Sequence, residues 1–140
     1  MRGPLRRLAL PALALALLPA CGGKEAGEAV YPVEGEVFFQ GKPAAGATVF
    51  FHPAGQPDAR ILSGTVGPDG TFRITTLRKD DGAPAGTYAV TLTWTETVKV
   101  NDAEQETPDR FGRRYSDPRR PAATVEVKPG TNRLPRFDLR

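Results

Sequence analysis

The sequence predicts an all-β protein: a single seven-stranded antiparallel β-sandwich that follows a leader and a flexible tether. Three observations carry this expectation. From Tyr31 onward, apolar residues recur with period two, the spacing that places alternate side chains on one face of a strand. Turn residues interrupt that pattern about every eight to twelve positions, as they do in sandwiches. Glycine and proline number 15 and 14 among 140 residues, which favours turns over long helices.

The first element is the leader, residues 1–20. Met1 to Arg7 carries Arg2, Arg6 and Arg7 and no acid, and Leu8 to Leu18 is an apolar run interrupted only by Pro11. A basic start, a short apolar stretch and a small residue before the cut make a secretory signal. Spanning a bilayer takes about 20 apolar residues, so the run is too short for a mature membrane helix.

Leu18-Pro19-Ala20-Cys21 resembles the lipobox of bacterial lipoproteins. The resemblance implies that Cys21 becomes the mature N-terminus and carries a diacylglyceryl group on its sulfur. It also implies attachment to the cell envelope, at the outer membrane or the periplasmic face of a membrane. Gly22 after the cysteine resembles the outer-membrane-directed class. An ordinary secreted protein with a stray cysteine is the alternative. Each buried methylene contributes about 0.8 kcal/mol, so two or more acyl chains hold where one is marginal. Cys21 is the only cysteine, which leaves the domain without an internal disulfide.

Loss of the leader changes the charge argument. The full chain has 19 basic and 16 acidic residues. Without Arg2, Arg6 and Arg7 the two classes are equal at 16 each, and the basic character that could suggest nucleic-acid binding disappears. The remaining 120 residues suit one domain. Residues 21–30, glycine-rich and polar, read as a lipidated flexible tether, and residues 31–140 as the sandwich.

Within 31–140 the strands follow in order. Val33 to Phe39 is the first, with Val37 and Phe39 inward. Ala47 to Phe51 is the second, with Val49 and Phe51 inward. Arg60 to Val66 is the third. Gly67-Pro68-Asp69-Gly70 is a turn in which proline presets φ and glycine accepts a positive φ. Thr71 to Thr75 follows with Phe72 and Ile74 inward. Thr87 to Thr95 has Tyr88, Val90, Leu92 and Trp94 on one face. Val125 and Val127 mark the sixth strand, and Phe137 and Leu139 the seventh. Gly46, Gly70 and Gly86 read as turn and strand-entry glycines. Residues 96–121 form a long charged loop without period, carrying Arg110, Arg113, Arg114, Arg119 and Arg120 among several acids. Loops this long are functional or disordered.

Three stretches, Val33 to Phe51 (VEGEVFFQGKPAAGATVFF), Gly64 to Ile74 (GTVGPDGTFRI) and Gly82 to Val90 (GAPAGTYAV), resemble the carboxypeptidase regulatory-like, or transthyretin-like (prealbumin-like), β-sandwich. Arg114-Tyr115-Ser116-Asp117-Pro118 followed by Val125 to Asn132 resembles small lipoproteins of planctomycete bacteria. The resemblance implies an accessory module and leaves its function open.

The chemical inventory argues against an enzyme. His52 is the only histidine, and it lies on the opposite strand face from Val49 and Phe51. No G-x-S-x-G context surrounds Ser63 or Ser116. Zinc would need several His or Cys ligands, and the acids of the loops do not have EF-hand spacing. The chain also lacks the several histidines of the transthyretin-like hydrolases. No catalytic residue, metal or cofactor is therefore expected. The expected function is a binding or structural module at the envelope, with the membrane as partner through Cys21 and an envelope protein or a glycan beyond it. Trp94, Arg113, Arg114 and Tyr115 are the candidate ligand-binding residues. A carbohydrate-binding module using Trp94 and loop 96–121 is the alternative. A hydrolase is the third class.

Overall fold

The computed structural model describes residues 28–140. The leader, Cys21 and most of the tether lie outside the described residues. The described chain is all-β and contains no helix, and hence no helix that could cross a membrane.

Thirteen strand segments follow in order: β1 Val30–Tyr31, β2 Val33–Phe39, β3 Lys42–Pro43, β4 Thr48–Pro53, β5 Leu62–Thr65, β6 Thr71–Arg73, β7 Ala83–Pro84, β8 Gly86–Thr93, β9 Thr97–Val100, β10 Ala103–Glu106, β11 Ala123–Val127, β12 Asn132–Arg133 and β13 Phe137–Leu139. The seven expected strands correspond to β2, β4, β5, β6, β8, β11 and β13. The six others are segments of two to four residues.

One sheet has the order β11-β8-β4-β5 and is antiparallel throughout. The other is centred on β2 and is mixed, not purely antiparallel. β6 and β3 pair with β2 antiparallel on one side, while β12 and β13 lie parallel to it on the other. The reason is topological. β2 and β13 stand at opposite ends of the domain's sequence, so no hairpin links them and the returning chain is free to run in the same direction.

The period-two pattern explains the core. Val33, Val37, Val49, Phe51, Phe72, Ile74, Tyr88, Val90 and Leu92 are buried together between the sheets. Three members of the expected core, Phe39, Trp94 and Val125, are only partly buried, packed against its rim, while Phe111, in the stretch read as a loop without period, is 2% exposed and joins the core. That stretch also holds the hairpin β9–β10. Asn101 and Asp102 join the two strands with φ of 52° and 63°, the left-handed pair of a type I′ turn.

At the other end, β1 pairs with β7, which places Val30, read as tether, in a strand. Gly82 makes this possible: its φ is +104°, and a side chain there would collide with the Tyr31 carbonyl.

Candidate functional site

The residues singled out by the sequence gather where β8 ends. Asp109 organises them. Its Oδ1 accepts the N–H groups of Trp94 (2.8 Å) and Phe111 (3.0 Å), and its Oδ2 accepts that of Arg113 (3.1 Å). These bonds fold residues 109–113 back onto the strand and drive Phe111 into the core. Around Phe111 stand Phe39 (5.3 Å between ring centroids), Trp94 (5.5 Å) and Tyr115 (5.7 Å), the separations favoured by offset or edge-on aromatic pairs.

Trp94 is therefore a packing residue first. The Arg110 guanidinium lies 4.7 Å over its ring, and the same guanidinium pairs with Glu96 at 2.9 Å. The indole Nε1 is buried without a hydrogen-bond partner among the described residues. Tyr115 is half-buried; its hydroxyl donates to the Arg140 carbonyl at 3.1 Å, and Arg114 Nη1 donates to the same oxygen at 3.0 Å. Arg113 is exposed, with its φ at +62°. Of the four candidates, then, Trp94 and Tyr115 share one aromatic cluster through Phe111, Arg114 fastens the last strand, and Arg113 alone is presented freely to solvent. Asp109, Arg110 and Phe111 belong to the loop 96–121 but are not among the four candidates singled out by the sequence. Their signal is faint: one phenylalanine in a polar run, two residues after an aspartate.

The second candidate region lies at the opposite end, where β8 begins. A cleft of about 460 Å³ opens there between the start of the described chain, the loop after β4, the turn after β6 and the β7–β8 corner. Leu62, Tyr88 and Val30 supply apolar wall, and Glu28, Arg60 and Gln56 supply polar groups. The Tyr88 hydroxyl donates to the Pro84 carbonyl at 2.7 Å. Burial, aided by the negative charge of Glu28, raises the Tyr88 pKa above its ordinary value.

The turn on the cleft's rim is held by Asp81. Its carboxylate accepts the N–H groups of Thr76 (2.7 Å), Leu77 (2.9 Å) and Arg78 (2.8 Å). Desolvation pushes its pKa up, but these bonds to the ionised form outweigh it and leave the group below its ordinary value.

His52 precedes the cleft-lining Pro53 and stands opposite Ala89 of β8. It is half-buried on the outer face of the β4–β8 pair, and its Nε2 stands 2.8 Å from Thr91 Oγ1. Burial lowers its pKa. Among the described residues, no three His, Cys, Asp or Glu side chains are grouped closely enough to hold a metal ion.

No protein-family model and no curated protein matches the chain. Solved structures give distant likenesses. A DUF3823 family protein from Parabacteroides merdae is 17% identical with a TM-score of 0.42, over 79% of this chain and 46% of its own. A provisionally assigned carbohydrate binding protein from Pseudomonas aeruginosa is 13% identical with a TM-score of 0.42, over 81% of this chain and 92% of its own. A 9R-lipoxygenase from Cyanothece is 13% identical with a TM-score of 0.39, over 79% of this chain and 16% of its own. The chain thus spans about half the length of the first of these proteins and a small part of the third. Likeness at this level transfers neither ligand nor activity.

Proposed function

We propose that this chain is a non-catalytic envelope lipoprotein, held to a membrane through lipid on Cys21, whose β-sandwich acts as a binding or structural module. The observation that carries this reading is the polarity of the domain. The described chain starts at Glu28, on the wall of the cleft, and β8 also starts there. β8 runs eight residues, about 25 Å, to the end that carries the β9–β10 hairpin and the arginine-bearing loop. A tether leaving at the cleft would hold one end near the membrane and present the other outward. The lipobox-like residues support the anchor. The three quoted motifs support grouping the sandwich with carboxypeptidase regulatory-like, transthyretin-like domains, and Arg114 to Pro118 with Val125 to Asn132 supports a planctomycete-type lipoprotein.

The non-catalytic part of the proposal rests on the side-chain inventory. The one histidine is engaged with Thr91, and acylation would consume the one thiol. A glycan partner is the alternative occupant of the outward end. A sugar stacking on Trp94 has to displace Arg110 from that ring.

The anchor is tested by mass spectrometry of the mature protein, which should find an acylated Cys21 at the N-terminus. Cys21→Ser should release the domain or stall processing. An unmodified Cys21 in a soluble product overturns the reading. The outward surface is tested at Val98 and Val100, exposed apolar residues of β9: an envelope partner pulled down by the native chain should be lost with the double variant Val98→Lys, Val100→Lys, and equal capture by both overturns a partner on the hairpin. Glycan-array binding that vanishes in Trp94→Ala would favour the carbohydrate reading instead.

A further inference from the structure

We infer that the cleft end of the sandwich is a membrane-contact surface, with Leu77 seated at the boundary between lipid headgroups and acyl chains. The inference rests on the anchor reading for the chain's position and extends it to an orientation.

Leu77 is 71% exposed, the most exposed large apolar residue among those described. Its exposure is built into the fold. Asp81 clamps the backbone N–H groups of Thr76, Leu77 and Arg78, and the Thr76 hydroxyl donates to the Gly82 carbonyl at 2.7 Å. Gly82 in turn donates to the Ile74 carbonyl at 2.8 Å and packs against the Tyr31 backbone. The turn is thereby fastened to the core strand on one side and to the segment where the described chain begins on the other. An apolar side chain is held out into solvent by an ordered frame.

The length of chain outside the structure says what covers it. Cys21 and Glu28 are seven residues apart. At full extension they span at most about 25 Å. Glu28 and Leu77 line the same cleft. An anchored Cys21 therefore keeps Leu77 within a short reach of the bilayer and keeps the hairpin end, a further strand length away, outside it. Confinement on that scale raises the effective concentration of the Leu77 turn at the lipid surface, so a single apolar contact suffices to bias orientation.

Charge does not drive this contact. Of the charged residues that line the cleft, Arg60 and Glu28 are both exposed and opposite in sign, so the contact should depend on Leu77 and only weakly on anionic lipid.

The experiment uses the full mature chain in phospholipid vesicles. Acylated Cys21 leaves an introduced cysteine as the sole free thiol. Gln56→Cys, on the cleft wall, carries an environment-sensitive fluorophore, and Asn101→Cys at the hairpin tip carries it in the control. Iodide quenching of the label at position 56 should be about threefold weaker with Leu77 than with Leu77→Gln. The label at 101 should quench equally in both, and adding phosphatidylglycerol should change neither. Leu77 is exposed, so the variant should keep the native thermal transition.

A second arm holds the Cys21→Ser chain on nickel-chelating lipid through an N-terminal hexahistidine. Protection at 56 in this arm supports the contact even if mass spectrometry finds Cys21 unmodified, in which case the anchor reading alone fails. Equal quenching with Leu77 and Leu77→Gln in both arms overturns the inference and leaves the anchor standing.

Discussion

Trp94 shows how one residue's role turns on a single atom. Its Nε1 is buried with no partner among the described residues, and a buried donor left without an acceptor costs about 1–3 kcal/mol. Its ring, by contrast, packs with Phe39 and Phe111 under Arg110. Trp94→Phe keeps a ring in that cluster and removes the orphan donor, so it should change stability by no more than about 1 kcal/mol. Trp94→Ala loses the ring and should cost about 3 kcal/mol, near the low end for aromatic truncation because the residue is only partly buried. Urea unfolding of both variants measures the ranking. A Phe variant as damaged as the Ala variant would mean that the indole N–H has a partner after all.

At the scale of elements, the β9–β10 hairpin stands apart from the sandwich. All eight of its strand residues are exposed, and an isolated two-stranded hairpin is marginal in water. What holds it is its base and its turn. Thr107 N–H donates to the Glu96 carbonyl at 2.8 Å, and Glu96 N–H donates to Thr107 Oγ1 at 2.9 Å. The left-handed Asn101-Asp102 pair supplies the twist the two strands need. No buried apolar side chain of the core comes from 97–106. Replacing 97–106 by Asn-Gly should therefore leave thermal and urea stability within about 0.5 kcal/mol of the native chain. Amide exchange in β9 and β10 should outrun exchange in β8 by orders of magnitude. A large loss of stability would show that the hairpin packs on the sandwich in solution.

Across the whole molecule, pH dependence follows from groups that share one direction. Burial holds the His52 pKa below its ordinary 6.5. For a group depressed on folding, the unfolded chain binds the proton first, so stability is fully present above 6.5 and declines as pH falls toward the folded value. Asp69, through its bonds from Thr71, and Asp117, through its bond from Arg119, lie below their ordinary 3.8, and Asp81 does as well. Their contributions are present above 3.8 and fade as pH falls through the folded values. Thermal melting should therefore be flat near neutrality and fall in two stages on acidification. His52→Gln should remove the first stage and leave the second. A first stage that persists in that variant would assign it elsewhere, since no other histidine exists.

The same three scales separate what was legible in the sequence from what was not. The all-β class and the cores of the main strands could be read directly, because alternation in Val33 to Phe39 or Thr87 to Thr93 is a local property of successive side chains. The turn at Gly70 was legible for the same reason: its φ of +87° is a local demand. The parallel placement of β12 and β13 beside β2 was not, because it depends on a contact between residues about a hundred positions apart. Nor could sequence show that Arg110 covers Trp94, that Asp109 draws Phe111 into the core, or that Leu77 stands on a frame clamped by Asp81. Each of these depends on where a carboxylate or a guanidinium meets backbone or ring from a different segment. The sequence by itself determined the sandwich, the leader pattern and Cys21 as the expected anchor, all set by spacing along the chain. Only the tertiary structure decided which end of the sandwich carries the start of the described chain and which candidate residues are exposed, because polarity and exposure belong to the folded surface and not to the order of residues.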